Sequence, residues 1–116
     1  MKPNVLMMVT SDPRVSARPA EAVRIAAGVG TWRKAGMMLY LHGPAALALS
    51  EFTDELVDDD NFSRYLPILK DLGHPVYVQK GTPELGLLGD SPVPHEELDD
   101  AGLAALAARA TAILRF

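Results

Sequence analysis

The run Val5-Leu6-Met7-Met8-Val9, which Thr10-Ser11-Asp12-Pro13 follows at once, decides the fold class of this chain. Consecutive apolar residues that end in turn-forming residues are typical of a strand buried on both faces, as in a parallel sheet. Residues 37–41 repeat the signature, and His42-Gly43-Pro44 ends it. Each of these strands is followed by a helical pattern, so the sequence predicts an α/β protein with the first strand at the centre of its sheet.

Helical patterns separate the predicted strands. Pro19 suits a first helical position, and an apolar face at helical spacing continues until Gly36, which is predicted to end the helix. Pro67 must lie in the first turn of its helix or kink that helix. The other predicted helices are a short one over residues 45–50, one over residues 62–72, a brief one over residues 83–88 and a last one that Asp99 caps.

Three further strands complete the predicted order. They cover residues 75–78, a short edge strand within residues 91–95, and residues 112–116. The acidic residues 53–61 lack the alternating pattern of a calcium loop and are predicted to form a solvated loop. Strands that alternate with helices imply a parallel sheet covered by helices on both faces.

Composition excludes several classes of function. The 116 residues contain no cysteine, which rules out disulfides, thiolate zinc sites, persulfide carriage and a cysteine nucleophile in this sequence. A formal net charge of -4 disfavours binding to nucleic acid or to an anionic membrane surface. The first apolar run is too short for a signal sequence or a membrane span, so a cytoplasmic protein is expected.

Ligands of parallel sheets bind beyond the carboxyl ends of the strands, and these ends carry the candidate site. The residues there, called the rim residues below, are Ser11, Asp12, His42, Gln79, Lys80 and Thr82. Lys80 and the start of the following helix could hold a small anion, whereas helix capping by Thr82 explains the same residues without a ligand. Both interpretations stay open.

Other chemistries are less well supported. Asp12 and His42 could serve as acid and base on a small substrate, although Asp12 also fits an ordinary turn. The histidines lack the spacing of metal ligands, and His74 is expected to be structural. Gly28-Val29-Gly30 departs from the dinucleotide-binding motif, with Arg33 at the place of its third glycine. No metal and no cofactor is therefore predicted, and no catalytic residue is assigned.

Over its whole length the chain resembles the DsrE/DsrF-like (YchN-like) family of small sulfur-relay proteins. The resemblance rests on the first strand and its turn, on Leu39-Tyr40-Leu41-His42-Gly43-Pro44-Ala45, on Leu72-Gly73-His74-Pro75-Val76-Tyr77-Val78, and on the closing Ala112-Ile113-Leu114-Arg115-Phe116. It implies one domain over residues 1–116, a three-layer α/β/α sandwich with a five-stranded parallel sheet. It also implies assembly into trimers or hexamers, as homo-oligomers or mixed complexes.

The resemblance further implies an acceptor cysteine just after the third strand, and Gln79 stands at the matching position. Glutamine cannot carry a persulfide. The chain is therefore expected to be a non-catalytic oligomeric subunit, which supports a cysteine-bearing family paralogue or binds a small anion at the rim residues. The methionines, Trp32 and Phe62 are expected either in oligomer contacts or in the core.

Overall fold

A computed structural model describes residues 3–32 and 34–116 of the chain. Within them, five strands alternate with three α-helices and two short 3-10 helices. In chain order these are β1 (Asn4–Val9), α1 (Arg18–Thr31), β2 (Gly36–Leu41), the first 3-10 helix (Gly43–Leu49), α2 (Asp60–Asp71), β3 (Val76–Gln79), the second 3-10 helix (Pro83–Leu87), β4 (Glu96–Leu98), α3 (Asp100–Arg109) and β5 (Ala112–Arg115).

The five strands form one parallel sheet in the order β4-β3-β2-β1-β5. The prediction of a parallel α/β fold is thus confirmed. β1 lies inside the sheet between β2 and β5, but the middle strand is β2, so the prediction that β1 is central is wrong. The last connection, β4 to β5, crosses the whole sheet and places the final strand outside β1.

The two faces of the sheet are covered unequally. Leu6 pairs in register with Met38 and with Ile113, and residues opposite one another in a sheet point to the same face. Leu6 and Met38 belong to a small apolar cluster closed by Leu106 of α3. The other face lies under α1 and α2, which form the larger cluster with it. The predicted three-layer α/β/α sandwich is confirmed, with a single α-helix among the described residues on its thinner side.

The end of the first helix differs from the prediction. α1 ends at Thr31, and Gly36 is the first residue of β2 rather than the end of the helix. The Gly36 N–H donates to the Pro3 carbonyl at 2.7 Å, and Gly36 pairs with Asn4 in the ladder. The sheet therefore begins one residue before the apolar run, because the backbone of Gly36 is needed to extend the pairing with β1.

Prolines decide the bounds of the edge strand and exclude one of the two alternatives for Pro67, a place in the first turn of its helix. The edge strand is Glu96–Leu98 and not residues 91–95, since Pro92 and Pro94 have no N–H to give to a ladder. Pro67 lies inside α2, beyond its first turn, because the helix starts at Asp60 and so includes the end of the acidic segment that was predicted as loop. Pro67 is exposed, on the side of the helix that faces solvent.

The structure separates the two aromatic residues whose roles the sequence left open. Phe62 is 2% exposed and belongs to the larger cluster, whereas Trp32 is 64% exposed. The two brief predicted helices are present, each as a 3-10 helix. Each follows a strand after a short connection and has a proline in its first turn, which suits the start of such a helix.

Candidate functional site

The structure places the rim residues at the carboxyl ends of three neighbouring parallel strands. Ser11 and Asp12 follow β1, His42 follows β2, and Gln79 ends β3. Lys80 and Thr82 follow in the connection to the second 3-10 helix, which completes the set. These strands are adjacent, so the residues lie along one edge of the sheet. Whether a ligand binds there stays a prediction, and the geometry of each side chain shows what it does in this structure.

Gln79 joins two of the strand ends. Its Oε1 accepts a hydrogen bond from the Gly43 N–H at 2.9 Å. Gly43 has a φ of +56°, a left-handed conformation that favours glycine and turns its amide into the loop after β2. At the end of β3, this chain thus has an amide side chain that satisfies a buried backbone donor.

The exchange of Gln79 for alanine should therefore lower the free energy of unfolding by about 1–3 kcal/mol, because the amide of buried Gly43 would lose its acceptor. Chemical denaturation followed by circular dichroism measures this change. Lys80→Ala is the matched control, since Lys80 is exposed and a surface change should stay within about 0.5 kcal/mol. Equal stability of the two variants would show that the Gln79 bond contributes nothing.

Asp12 is engaged by its neighbour Arg14. The Arg14 side chain donates from Nε at 3.0 Å and from Nη2 at 2.8 Å, so both carboxylate oxygens of Asp12 are bound. The Arg14 backbone N–H donates to Asp12 Oδ1 as well, at 2.9 Å. The Arg14 hydrogen bonds lower the pKa of Asp12 and outweigh the opposing effect of burial. Use of Asp12 as a base would require this ion pair to open, and a lowered pKa makes a carboxylate a weaker base.

Three further rim residues each have a different contact partner. The Ser11 hydroxyl donates to the Phe116 carbonyl at 2.7 Å, which ties the end of β1 to the end of β5. His42 is exposed, and its ring lies 6.4 Å from that of Tyr40. Lys80 is exposed too, and its backbone N–H donates to the Leu98 carbonyl at 2.9 Å.

Thr82 corrects the capping interpretation. It stands at the N-cap position of the second 3-10 helix, but its hydroxyl donates to Glu84 Oε1 at 2.8 Å and makes no capping bond to the backbone. That helix has five residues, so few peptide dipoles are aligned at its start. The Glu84 carboxylate beside Thr82 adds a negative charge there, which does not favour an anion.

A cleft beside the rim was not found from the sequence. It has a volume of about 420 Å³ and opens between the β1–α1 loop and the segment after the first 3-10 helix. We call it the Phe52 cleft. Its lining residues are Arg14, Leu47, Ser50, Phe52, Asp54, Glu55, Leu56 and Leu87. They come from three separate segments without regular spacing, so no pattern in the sequence indicates that they meet.

Two negative findings concern the described residues alone. Within residues 3–32 and 34–116, no three side chains of His, Asp or Glu are grouped so that they could hold a metal ion. None of the helices described in this part of the chain has the length and apolar character needed to cross a bilayer.

Comparison with known proteins yields a structural match. No protein-family model matches the chain, and no curated protein matches it by sequence. Among solved structures, the crystal structure of the ychN protein from E. coli superposes with a TM-score of 0.79, over 98% of this chain and 99% of that one. The chain has the YchN fold.

The match extends over nearly the full length of both chains, which confirms the YchN-like architecture expected from the sequence. The two sequences are 19% identical, so the likeness concerns the fold. The YchN-like fold brings the end of β3 and the rim residues to one edge, and in this chain the side chain at the end of β3 is Gln79.

Proposed function

We propose that this chain is a non-catalytic subunit that associates with further copies of itself through β5. The observation that carries the proposal is the outer edge of the sheet at β5, where Ile113 is 41% and Leu114 43% exposed. All four residues of β5 are exposed, although the first three of them are apolar. An apolar strand with one open edge is a ready partner for another chain.

The two edges of the sheet differ in a way that supports this choice. β4 has three residues, and two of them are the glutamates Glu96 and Glu97. A short edge with charges resists pairing with another strand. β5 has instead Ala112, Ile113 and Leu114 before its single charge at Arg115. One edge is thus protected against association and the other is left open.

The thinner layer of the sandwich adds apolar surface next to the β5 edge. Ile113 faces the same side as Leu6, where α3 supplies a single buried residue, Leu106. Met8 and Tyr77 on this face are only partly buried against the small cluster. A second copy that pairs along β5 would cover this apolar surface as well as the strand edge. Both contribute to the area of a specific interface, which is roughly 800 Å² per partner.

The rim supports a non-catalytic role. The sequence offers no thiol, the Gln79 side chain binds the Gly43 amide, and the Asp12 carboxylate binds Arg14. Gln79 and Asp12 each have a partner within the chain, which either side chain would have to leave in order to act on a substrate as acid-base catalysis requires.

Native mass spectrometry of the purified chain tests the proposal. We expect a homo-oligomer, a trimer or a hexamer, at micromolar protein. A mixed assembly with a cysteine-bearing paralogue, found in protein isolated from its own source, would replace self-association by a supporting role in that complex. A monomer over the whole concentration range would overturn the proposal.

The double variant Ile113→Glu/Leu114→Glu should dissociate the assembly, because like charges would face each other across the β5 edge without partners. We expect at least about a hundredfold weaker self-association, as two buried like charges cost several kcal/mol. Trp32→Glu is the matched control, since it adds a charge at an exposed apolar side chain that follows α1 and is not part of β5. Dissociation by the control and not by the β5 variant would place the interface elsewhere.

A further inference from the structure

We propose that the Phe52 cleft binds a small organic cation that carries an apolar group. Its volume of about 420 Å³ lies within the range of small-molecule sites, which runs from about 300 to 1,000 Å³. This inference is independent of the assembly through β5, because none of the residues that line the cleft belongs to that strand.

The walls of the cleft are fixed by backbone hydrogen bonds. The Val57 N–H donates to the Pro13 carbonyl at 2.8 Å and attaches the acidic segment to the β1–α1 loop. On the opposite side, the Glu51 N–H donates to the Leu88 carbonyl at 2.8 Å and attaches the segment to the end of the second 3-10 helix. The cleft is therefore preformed, which reduces the ordering cost of binding.

Apolar side chains line much of the cleft. Leu47 is buried in it, while Phe52 is 76% and Leu87 66% exposed at its mouth. A large exposed aromatic side chain at a concave site offers an apolar surface and a negative ring face, onto which an organic cation can bind. The apolar group of the ligand would contact these side chains.

The charges of the cleft favour a cation. Arg14 is neutralised by Asp12, whose carboxylate binds it at 2.8 Å. Asp54 and Glu55 lie in the same cleft, and neither forms an ion pair with another described residue. The lining therefore has two carboxylates in excess, in the same cleft as Phe52.

Ser50 adds a polar group to the lining of the cleft. It is 9% exposed, it lines the cleft, and its hydroxyl forms no hydrogen bond with any other described residue. In the described part of the chain, every fully enclosed polar side-chain atom has a partner, so this hydroxyl must reach free space. Ser50 also borders a pocket of about 60 Å³ on its other side, which is too small for an organic ligand. A hydroxyl in the lining can accept a hydrogen bond from the ammonium group of a ligand.

Titration of the full chain with phenethylamine, followed by isothermal calorimetry and by amide shifts in NMR spectra, tests the proposal. At neutral pH this probe is an ammonium ion with an aromatic group, and phenylacetate is its anionic counterpart. We expect a Kd of about 1 mM or tighter for phenethylamine, given its few heavy atoms, with shifts centred on Ser50, Phe52 and Glu55. Phenylacetate should bind at least about tenfold more weakly. Equal affinities, or shifts centred elsewhere, would overturn the proposal.

Variants of the lining residues test which side chains contribute to phenethylamine binding. Asp54→Asn/Glu55→Gln should weaken phenethylamine binding by about tenfold and remove most of its salt dependence. Phe52→Ala should weaken it by a similar factor without changing the assembly mass. Asp71→Asn, an exposed carboxylate at the end of α2, is the control and should bind as the unchanged chain does. An altered assembly mass for Phe52→Ala would instead make the cleft part of the subunit interface and overturn the assignment to a small ligand.

Discussion

Phe62→Ala should lower the free energy of unfolding by about 3–5 kcal/mol, the range for large aromatic side chains removed from a core. Phe62 is 2% exposed and lies on α2 within the larger cluster. Its removal leaves a cavity between α2 and its surroundings that rigid neighbours can fill only in part. Natural domains have a total stability of about 5–15 kcal/mol, so the variant should lose a large share of it.

Phe52→Ala is the control for this change, because it removes the same side chain from a position that is 76% exposed. It should alter the stability by no more than about 0.5 kcal/mol. Guanidinium denaturation of both variants at one protein concentration measures the difference, since association would otherwise add to it. A loss of under about 1 kcal/mol for Phe62→Ala would contradict the placement of Phe62 in the core.

Two glycines of α1 should respond to alanine with opposite signs. A Cβ on Gly30 would lie 2.7 Å from His74 Nε2 and 2.8 Å from its Cδ2, so the imidazole would have to move. The His74 ring joins α1 to β2: Nδ1 accepts from the Met37 N–H at 3.3 Å, and Nε2 lies 3.3 Å from the Gly30 carbonyl. Since Nδ1 is the acceptor, the ring proton is on Nε2 and is donated to Gly30.

Gly30→Ala should therefore lower the free energy of unfolding by about 1–3 kcal/mol, through overpacking and loss of these hydrogen bonds. Gly28→Ala should raise it by about 0.5–1 kcal/mol, because Gly28 is exposed, nothing lies within 4 Å of its Cβ position, and alanine favours a helix. Thermal and chemical denaturation measure both changes. A Gly30→Ala variant as stable as Gly28→Ala would contradict the contact between Gly30 and His74.

Local patterns were enough for most of the fold. The apolar runs before Thr10 and before His42 predicted β1 and β2, because short apolar runs that end in turn residues are typical of strands buried on both faces. The boundaries were less certain, since they depend on partners distant in the chain. Gly36 joins β2 because Pro3 and Asn4 are beside it, and neither is near Gly36 in sequence.

The candidate site shows the same division. Fold class alone placed the rim residues at one edge, because the carboxyl ends of parallel strands meet there. Their individual contacts could not be predicted. Gln79 binds an amide 36 positions away, and Ser11 binds the chain 105 positions away. No sequence pattern indicated the Phe52 cleft, since irregular segments supply most of its lining.

The sequence by itself determined the α/β class, the alternation of strands and helices, the absence of thiol chemistry and the position of the rim. These follow from composition and from hydrophobic periodicities of a few residues, which reflect the local backbone geometry of helices and strands. Only the tertiary structure decided that Gln79 holds Gly43, that β5 lies at an open edge, and that Phe52 and Ser50 border a cleft. Such features depend on contacts between distant segments, and packing of the whole chain selects these contacts.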